Sequence, residues 1–369
     1  MTLALNPPTD PVMAVTHADP AQYYEALSCT GLHFDSTLDC WVAPSAKTVQ
    51  QVLSDSSLLV RPENEPVPKK LIGTSAGVIF SKLLRMNDGA IHAALKSRIS
   101  AAIQQLSLAE IQQQATQIAA QYSWCAPIDA EAVNAFCYAI PTMVIASLLG
   151  FEPDEWAELC QEVNDVVRCF APGGTDAELG RGIIATSLLE QRFYRQLTKP
   201  GPLLLSLQCE ILQCGFDDPP SWVVANAIGL LFQANESCAG LISQALIHTN
   251  LSEKRKNARE LIKEVMQNSP PIQNTRRFVA NDLGLRGCPM HAGQTVLAIL
   301  RTPDGITQAN NAFGYGPHQC PGETWAYAIA EAAIEQLLQL KLDPTMWNSH
   351  RWRRSLNARV PEFINKEAL

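Results

Sequence analysis

The segment Phe313-Gly-Tyr-Gly-Pro-His-Gln-Cys-Pro-Gly322 holds the most pointed chemistry in this chain, with Cys320 at its centre. It runs into Glu323-Thr-Trp-Ala-Tyr-Ala-Ile-Ala-Glu-Ala-Ala, a strong helix pattern, so the sulfur is expected at a helix N-terminus with Pro321 in the first helical position. Unpaired N–H groups and the positive end of the helix dipole favour thiolate over thiol there, and thiolate is the form that ligates a metal. Pro321 lacks an N–H, which removes one donor to the sulfur and leaves it electron-rich. Gly314, Gly316 and Gly322 let the loop run close beneath a flat cofactor, where side chains would collide. A lone cysteine after a glycine-rich turn is ordinarily a packed hydrophobe, but Phe, Gly, Gly, His, Cys and Gly at these spacings form a much rarer pattern. The loop has neither the Lys-Ser/Thr of a phosphate loop nor the second cysteine of a zinc site.

A second set of polar residues lies inside an apolar run. Residues 221–248 read as one long helix, on which Gln233, Glu236, Ser237 and Gly240 share a stripe. Buried polar groups need a reason: either neighbouring helices satisfy the stripe, or its carboxyl and hydroxyl move protons. Helical patterns also cover 106–122, 130–149, 153–170, 177–197, 252–268 and 323–340, whereas strand patterns at 38–42, 277–279 and 295–300 are short. The fold expected is mainly α, with small accessory sheets. Breaks at 171–175 and 198–202 read as loops, which makes 1–369 a single domain.

The loop resembles the Phe-Gly-x-Gly-x-His-x-Cys-x-Gly signature of the cytochrome P-450 family, and the resemblance covers most of the chain. It implies a many-helix domain with haem b buried between the family's I helix and the cysteine loop, and with Cys320 on the iron. Residues 60–68 resemble the segment before the family's first substrate loop, and 85–92 the approach to its C helix. By that likeness His92, Lys96, Arg277 and His318 hold the haem propionates, and cationic or donor groups from three segments suit a dicarboxylate. Phe313, Gly314, Gly322 and Ala234 complete the cofactor contacts. The family's acid–alcohol pair, which delivers protons to dioxygen, maps to Glu236 and Ser237. Serine keeps the hydroxyl but loses the methyl that restricts threonine's rotamer. Pocket residues implied are Val78, Phe80, Phe170, Phe232, Gln233, Ile272 and Gln273, which suit a small or medium, largely apolar metabolite.

The chain departs from the family in two places. Where the family's K helix has Glu-x-x-Arg, this sequence reads Glu264-Val-Met-Gln267, and only 301–312 separate the last strand from Phe313, where a longer meander is usual. A missing arginine and the missing loop that it would anchor form one coherent shortening. Gln233-Ala234 replaces the two small residues usual beside the oxygen site, so the Gln233 amide meets substrate or oxygen, or fills part of the pocket.

The resemblance implies a monooxygenase using O2 and electrons from a ferredoxin and its reductase, with Lys96 and Arg98 in a basic docking patch. The alternatives are a haem-thiolate peroxygenase, isomerase or dehydratase that needs no redox partner, and a non-catalytic haem-binding relative. The Arg-Pro pair of peroxide-using relatives is absent, which favours oxygen. A formal charge of −8, with no basic run interleaved with aromatics, argues against nucleic acid. No Lys or Arg precedes Lys47, prolines interrupt the first 20 residues, and the apolar runs 228–232 and 296–300 fall far short of a bilayer span. A soluble, cytoplasmic protein without a membrane partner is expected. Eleven cysteines without a CxxC pair are expected to stay reduced.

Overall fold

The computed structural model describes residues 6–171, 173–249, 256–301 and 311–365. Among these are thirteen α-helices and nine short strands, so the chain is mainly α with accessory sheets. The helix Pro219–Thr249 is the axis of the molecule. Its 31 residues extend about 46 Å at 1.5 Å per residue, and the helices Ala130–Leu149, Trp156–Phe170, Pro202–Leu212, Ala258–Asn268 and Glu323–Gln339 all pack on it. An element touched from so many sides must be apolar nearly all round, which is why its sequence shows no clean polar face.

Local chemistry sets the ends of the surrounding helices. The Asp129 carboxylate accepts the Ala132 N–H to start Ala130–Leu149, and Gly150, at φ +99°, ends it in a left-handed turn. Reciprocal bonds of Ser107 with Glu110, Thr175 with Glu178 and Asn257 with Glu260 start Leu108–Gln121, Asp176–Gln196 and Ala258–Asn268. The helix Ala130–Leu149 is long and apolar enough to cross a bilayer, contrary to the expectation that no run approaches that length; 67% of its apolar window is buried inside the fold.

The largest sheet has five strands, in the order His33–Asp35, Cys40–Ala43, Thr295–Ile299, Asn274–Val279 and Leu58–Leu59. Its antiparallel register sets Arg277 opposite Val296. The sheet lies beside the helical core and delivers Arg277 to the cysteine loop. Helices that the residue patterns did not bring out include Ala46–Ser54, Ser75–Lys82, Gly89–Gln104 and Pro202–Leu212.

Two helices that flank the apolar pocket, Trp156–Phe170 and Asp176–Gln196, meet where Gly182 removes a side chain. A Cβ there would lie 2.2 Å from the Cys169 Cβ and 2.6 Å from the Asp165 carbonyl oxygen, whereas one at Gly180, in the same helix, would meet nothing within 4 Å. Alanine in an exposed helix gains up to about 1 kcal/mol over glycine, so Gly180→Ala should stabilise. Gly182→Ala should instead destabilise by about 2 kcal/mol or more, because backbone rather than a pliable side chain is in the way. Urea unfolding of the pair should give opposite signs.

Candidate functional site

Cys320 is held by its own loop. Its N–H donates to the Phe313 carbonyl at 2.8 Å, and Gly314 and Gly316 adopt φ of +76° and +67°, a region that other residues enter only with strain. The Phe313 ring packs edge-on against Tyr327 at 5.2 Å, tying the start of the loop to the following helix. That helix begins at Glu323 with Gly322 as its cap, so Cys320 lies two residues ahead of the cap and Pro321 is not a helical residue. The helix start expected at 323 is observed, and the expected place of Pro321 in the first helical position is corrected. One N–H, that of Gly322, reaches the sulfur, at 3.4 Å. The expected preference for thiolate is also corrected: burial raises the Cys320 pKa, and the Gly322 N–H and Lys96 pull it down without offsetting that effect. Cys320 as a residue is exposed, while its thiol is crowded by surrounding protein.

Cationic and donor groups gather beside the loop. His92 and His318 stack with ring centroids 3.8 Å apart. His318 Nε2 lies 3.1 Å from the Asp88 carboxylate, whose other oxygen accepts the Val60 N–H at 3.0 Å. His92 Nε2 is buried without a partner, and burial, helped by the charges of His318 and Lys96, lowers its pKa to about 4. Burial lowers Arg277 to about 10, with Asp88 opposing and Arg85 adding. Its Nη1 donates to the Arg276 carbonyl at 2.8 Å. Arg85 is exposed as a residue, yet protein crowding its guanidinium lowers its pKa, against the charge of Cys320. It received no role in the sequence reading; the signal for it was an arginine inside an apolar Leu-Leu-Arg-Met stretch two helical turns before His92. Lys96 donates to the Gln319 carbonyl and so ties the helix Gly89–Gln104 to the cysteine loop.

The long helix opens opposite this cluster. From Ser221 to Thr249, Gln233 is exposed while every other described residue is at least half-buried; Leu230, Ala234 and Ser237 continue the open stripe. Cys238, next to Ser237, lies near enough for Cys320's charge to add to the burial that raises its pKa. Ser237 Oγ donates to the Gln233 carbonyl at 3.0 Å. Gly240 leaves the expected stripe: a Cβ there would meet Pro271 at 2.9 Å. Glu236 turns to the flank of the helix, where burial raises its pKa to about 7. Arg353 Nε, 3.8 Å from Oε1, opposes this, but burial prevails at that separation. The Arg353 guanidinium also stacks over Tyr138 at 4.7 Å, and both residues line a surface groove of about 870 Å3. Arg353 and Tyr138 were missed because nothing local in sequence links them to Glu236.

Of the expected pocket residues, Phe80, Phe170 and Phe232 form one aromatic wall, with successive centroids 5.6 and 5.3 Å apart. Val78 sits apart, 44% exposed, on the opposite side of its helix from Phe80. Ile272 bridges to Ala358, and Gln273 is fully buried with Oε1 unpaired. Glu264 of the altered K-helix motif is bound by Lys256, with His248 Nδ1 3.4 Å away and its pKa lowered by burial, so a lysine from outside the motif pairs with this carboxylate in the absence of the arginine. The short connection at 302–310 lies outside the described residues. Arg98, expected in a docking patch, bonds Gln213 at 2.7 Å and Glu210 at 3.3 Å; with Lys96 it is engaged within the protein.

These residues fit a metal porphyrin. Among the described residues no three His, Cys, Asp or Glu side chains come together to hold a metal, so a metal on Cys320 has to arrive with its other ligands in place. The orphaned His92 nitrogen, with Arg85 and Arg277, provides the donors that two propionates require.

No family model matches the chain. It is 26% identical over 237 residues to cytochrome P450-SOY of Streptomyces griseus, covering 57% of this chain and 56% of that protein. It is 25% identical over 241 residues to cytochrome P450 CYP105Q4 of Mycobacterium marinum, covering 58% and 57%. The chain thus matches little more than half the length of these curated relatives. In fold it is similar to P450BioI, solved in complex with hexadec-9Z-enoic acid ligated acyl carrier protein, with a TM-score of 0.75 at 18% identity over 93% of this chain and 97% of that one. Haem b is the cofactor of these proteins. The chain is thus similar in sequence to named cytochrome P450 enzymes over little more than half its length, and it shares the fold of a solved P450 along nearly all of it.

Proposed function

We propose that this chain is a haem-dependent monooxygenase that oxidises a small to medium, largely apolar metabolite. The observation that carries this reading is that Cys320, within a cluster of cations, lies within reach of Cys238 on the long helix, next to the stretch where Gln233 interrupts that helix's burial. Haem b bound there supplies dioxygen activation and substrate oxidation. Cys320 provides the metal ligand, and Arg85, His92, Arg277 and His318 hold the propionates. Lys96 fixes the ligand loop through the Gln319 carbonyl. The wall of Phe80, Phe170 and Phe232 excludes water from one side of the substrate space.

Proton supply falls to Glu236 and Ser237. A carboxyl with pKa of about 7 can both hold and release a proton near neutrality. Arg353 connects it to the groove, where solvent can recharge it. Ser237 must turn its hydroxyl away from the Gln233 carbonyl to donate into the cleft, a rotation that serine makes more freely than threonine. Electrons come, on this reading, from a ferredoxin and its reductase, and 1–369 acts as one haem-thiolate unit. A second reading, oxidation driven by peroxide, is favoured by one observation: Lys96 and Arg98 are both engaged internally, which weakens the case for an acidic partner at that patch.

Product formation should require reduced ferredoxin and O2, and peroxide alone should fail to support it; turnover with peroxide only would select the second reading. Glu236→Gln and Ser237→Ala should each lower product formed per O2 consumed by about tenfold or more, while leaving substrate binding in place. Unchanged coupling in both would remove the relay. Stability offers a separate check on Glu236. Its ordinary pKa of 4.5 rises to about 7 in the fold, so the folded state binds the proton more tightly. The stability this group lends is complete below about pH 4.5 and is lost as pH rises through about 7, by at most about 3 kcal/mol. Glu236→Gln should flatten denaturant stability across that window; identical pH profiles for the two proteins would mean that the carboxyl is not buried.

A further inference from the structure

Gln233 interrupts the burial of the long helix, and its side chain is held in a defined way. Its amide Nε2 donates to the Gly229 carbonyl, one helical turn back, at 2.8 Å. A carbonyl can only accept, so the NH2 end of the amide must face it, and the orientation of the group is settled by chemistry. Oε1 is thereby turned off the helix, and it accepts no hydrogen bond from any described residue. Residue 229 makes room for this arrangement: a Cβ there would lie 3.1 Å from Gln233 Nε2 and 2.9 Å from Leu83 Cδ2. Ser237, one turn further on, directs its hydroxyl at the Gln233 backbone carbonyl and so does not occupy the amide oxygen. The adjacent Phe232 belongs to the aromatic wall.

An anchored acceptor beside an apolar wall is a selective device. We infer that Gln233 Oε1 selects substrates that carry a hydroxyl or N–H donor on an otherwise apolar frame, and discriminates against their O- or N-methylated counterparts. The inference rests on the haem reading above, because that reading makes this cleft the substrate site. A ligand with a donor bonds the amide oxygen; its methyl ether covers the oxygen and leaves it unpaired. Loss of one such bond corresponds to about tenfold in affinity.

The test uses the haem-loaded protein and azoles, which ligate iron and give an optical readout of binding without turnover. Dissociation constants are measured for 4-(2-, 3- and 4-hydroxyphenyl)imidazole and for the three matching methyl ethers, by the shift of the Soret band. In the native protein at least one isomer should bind about tenfold more tightly as the phenol than as the ether, and Gln233→Leu should bring that ratio close to one. Gln233→Ala, a good helix former at an exposed position, gives the same reading should leucine disturb folding. If the azoles bind but no phenol-to-ether ratio depends on residue 233, the selectivity inference is overturned and the haem reading survives. If the purified protein takes up no haem, or no azole shifts the Soret band, the haem reading itself fails and this inference falls with it.

Discussion

The hydrogen bond from the Cys320 N–H to the Phe313 carbonyl closes the loop on which the rest of the site depends. A sulfur on an extended strand would point wherever solvent and rotamer entropy took it. Here two glycines in left-handed conformation fold the chain back, Phe313 packs on the next helix, and Lys96 grips the Gln319 carbonyl from a separate helix. The loop that carries the sulfur is thus fixed along its own chain and from a neighbouring helix. Burial in this setting raises its pKa, so the fold alone keeps a thiol; a metal has to supply the positive charge that makes the thiolate favourable.

The same cleft collects more positive charge than its acids balance. Asp88 is already committed to His318 and the Val60 N–H, which leaves Arg85 and Arg277 without a carboxylate bonded to them and His92 with an orphaned nitrogen. Buried cations and unpaired donors destabilise a fold unless an anion joins them. A dicarboxylate cofactor resolves that imbalance, and this links the electrostatics of the cleft to the identity of what occupies it. On the flank of the long helix the balance differs: Glu236 and Arg353 face each other without a hydrogen bond, a pairing loose enough to let the carboxyl hold a proton near neutrality.

Much of this was legible in the sequence, for identifiable reasons. The helix Ala130–Leu149 was readable at both ends because Asp129 and Gly150 mark them, and the long axis helix because no proline breaks its pattern from Ser221 to Thr249. The cysteine loop was readable because glycines at required φ cannot be exchanged freely. The following helix starts at Glu323 as its pattern indicated; only Pro321 was misplaced, because Gly322 takes the cap and leaves the proline outside the helix. Gly89–Gln104 was implied only through the likeness of 85–92 to the approach of a helix, because its own apolar pattern is weak and its bounds carry no clear signal. Arg85, Arg353 and the anchoring of Gln233 on Gly229 were hidden for a deeper reason: each depends on which way a side chain turns once distant segments are packed, and a local pattern does not encode that. The pairing of Lys256 with the K-helix carboxylate Glu264 belongs to the same class.

The central claim is that the side chain at position 320 is the proximal ligand of a haem iron, and the absorption spectrum of the ferrous carbon monoxide adduct tests it most directly. The account predicts the long-wavelength band of thiolate ligation for the native protein, and a shift to the shorter, globin-like wavelength in Cys320→His with haem retained. A globin-like band from the folded, haem-loaded native protein, or a spectrum indifferent to that substitution, would contradict it.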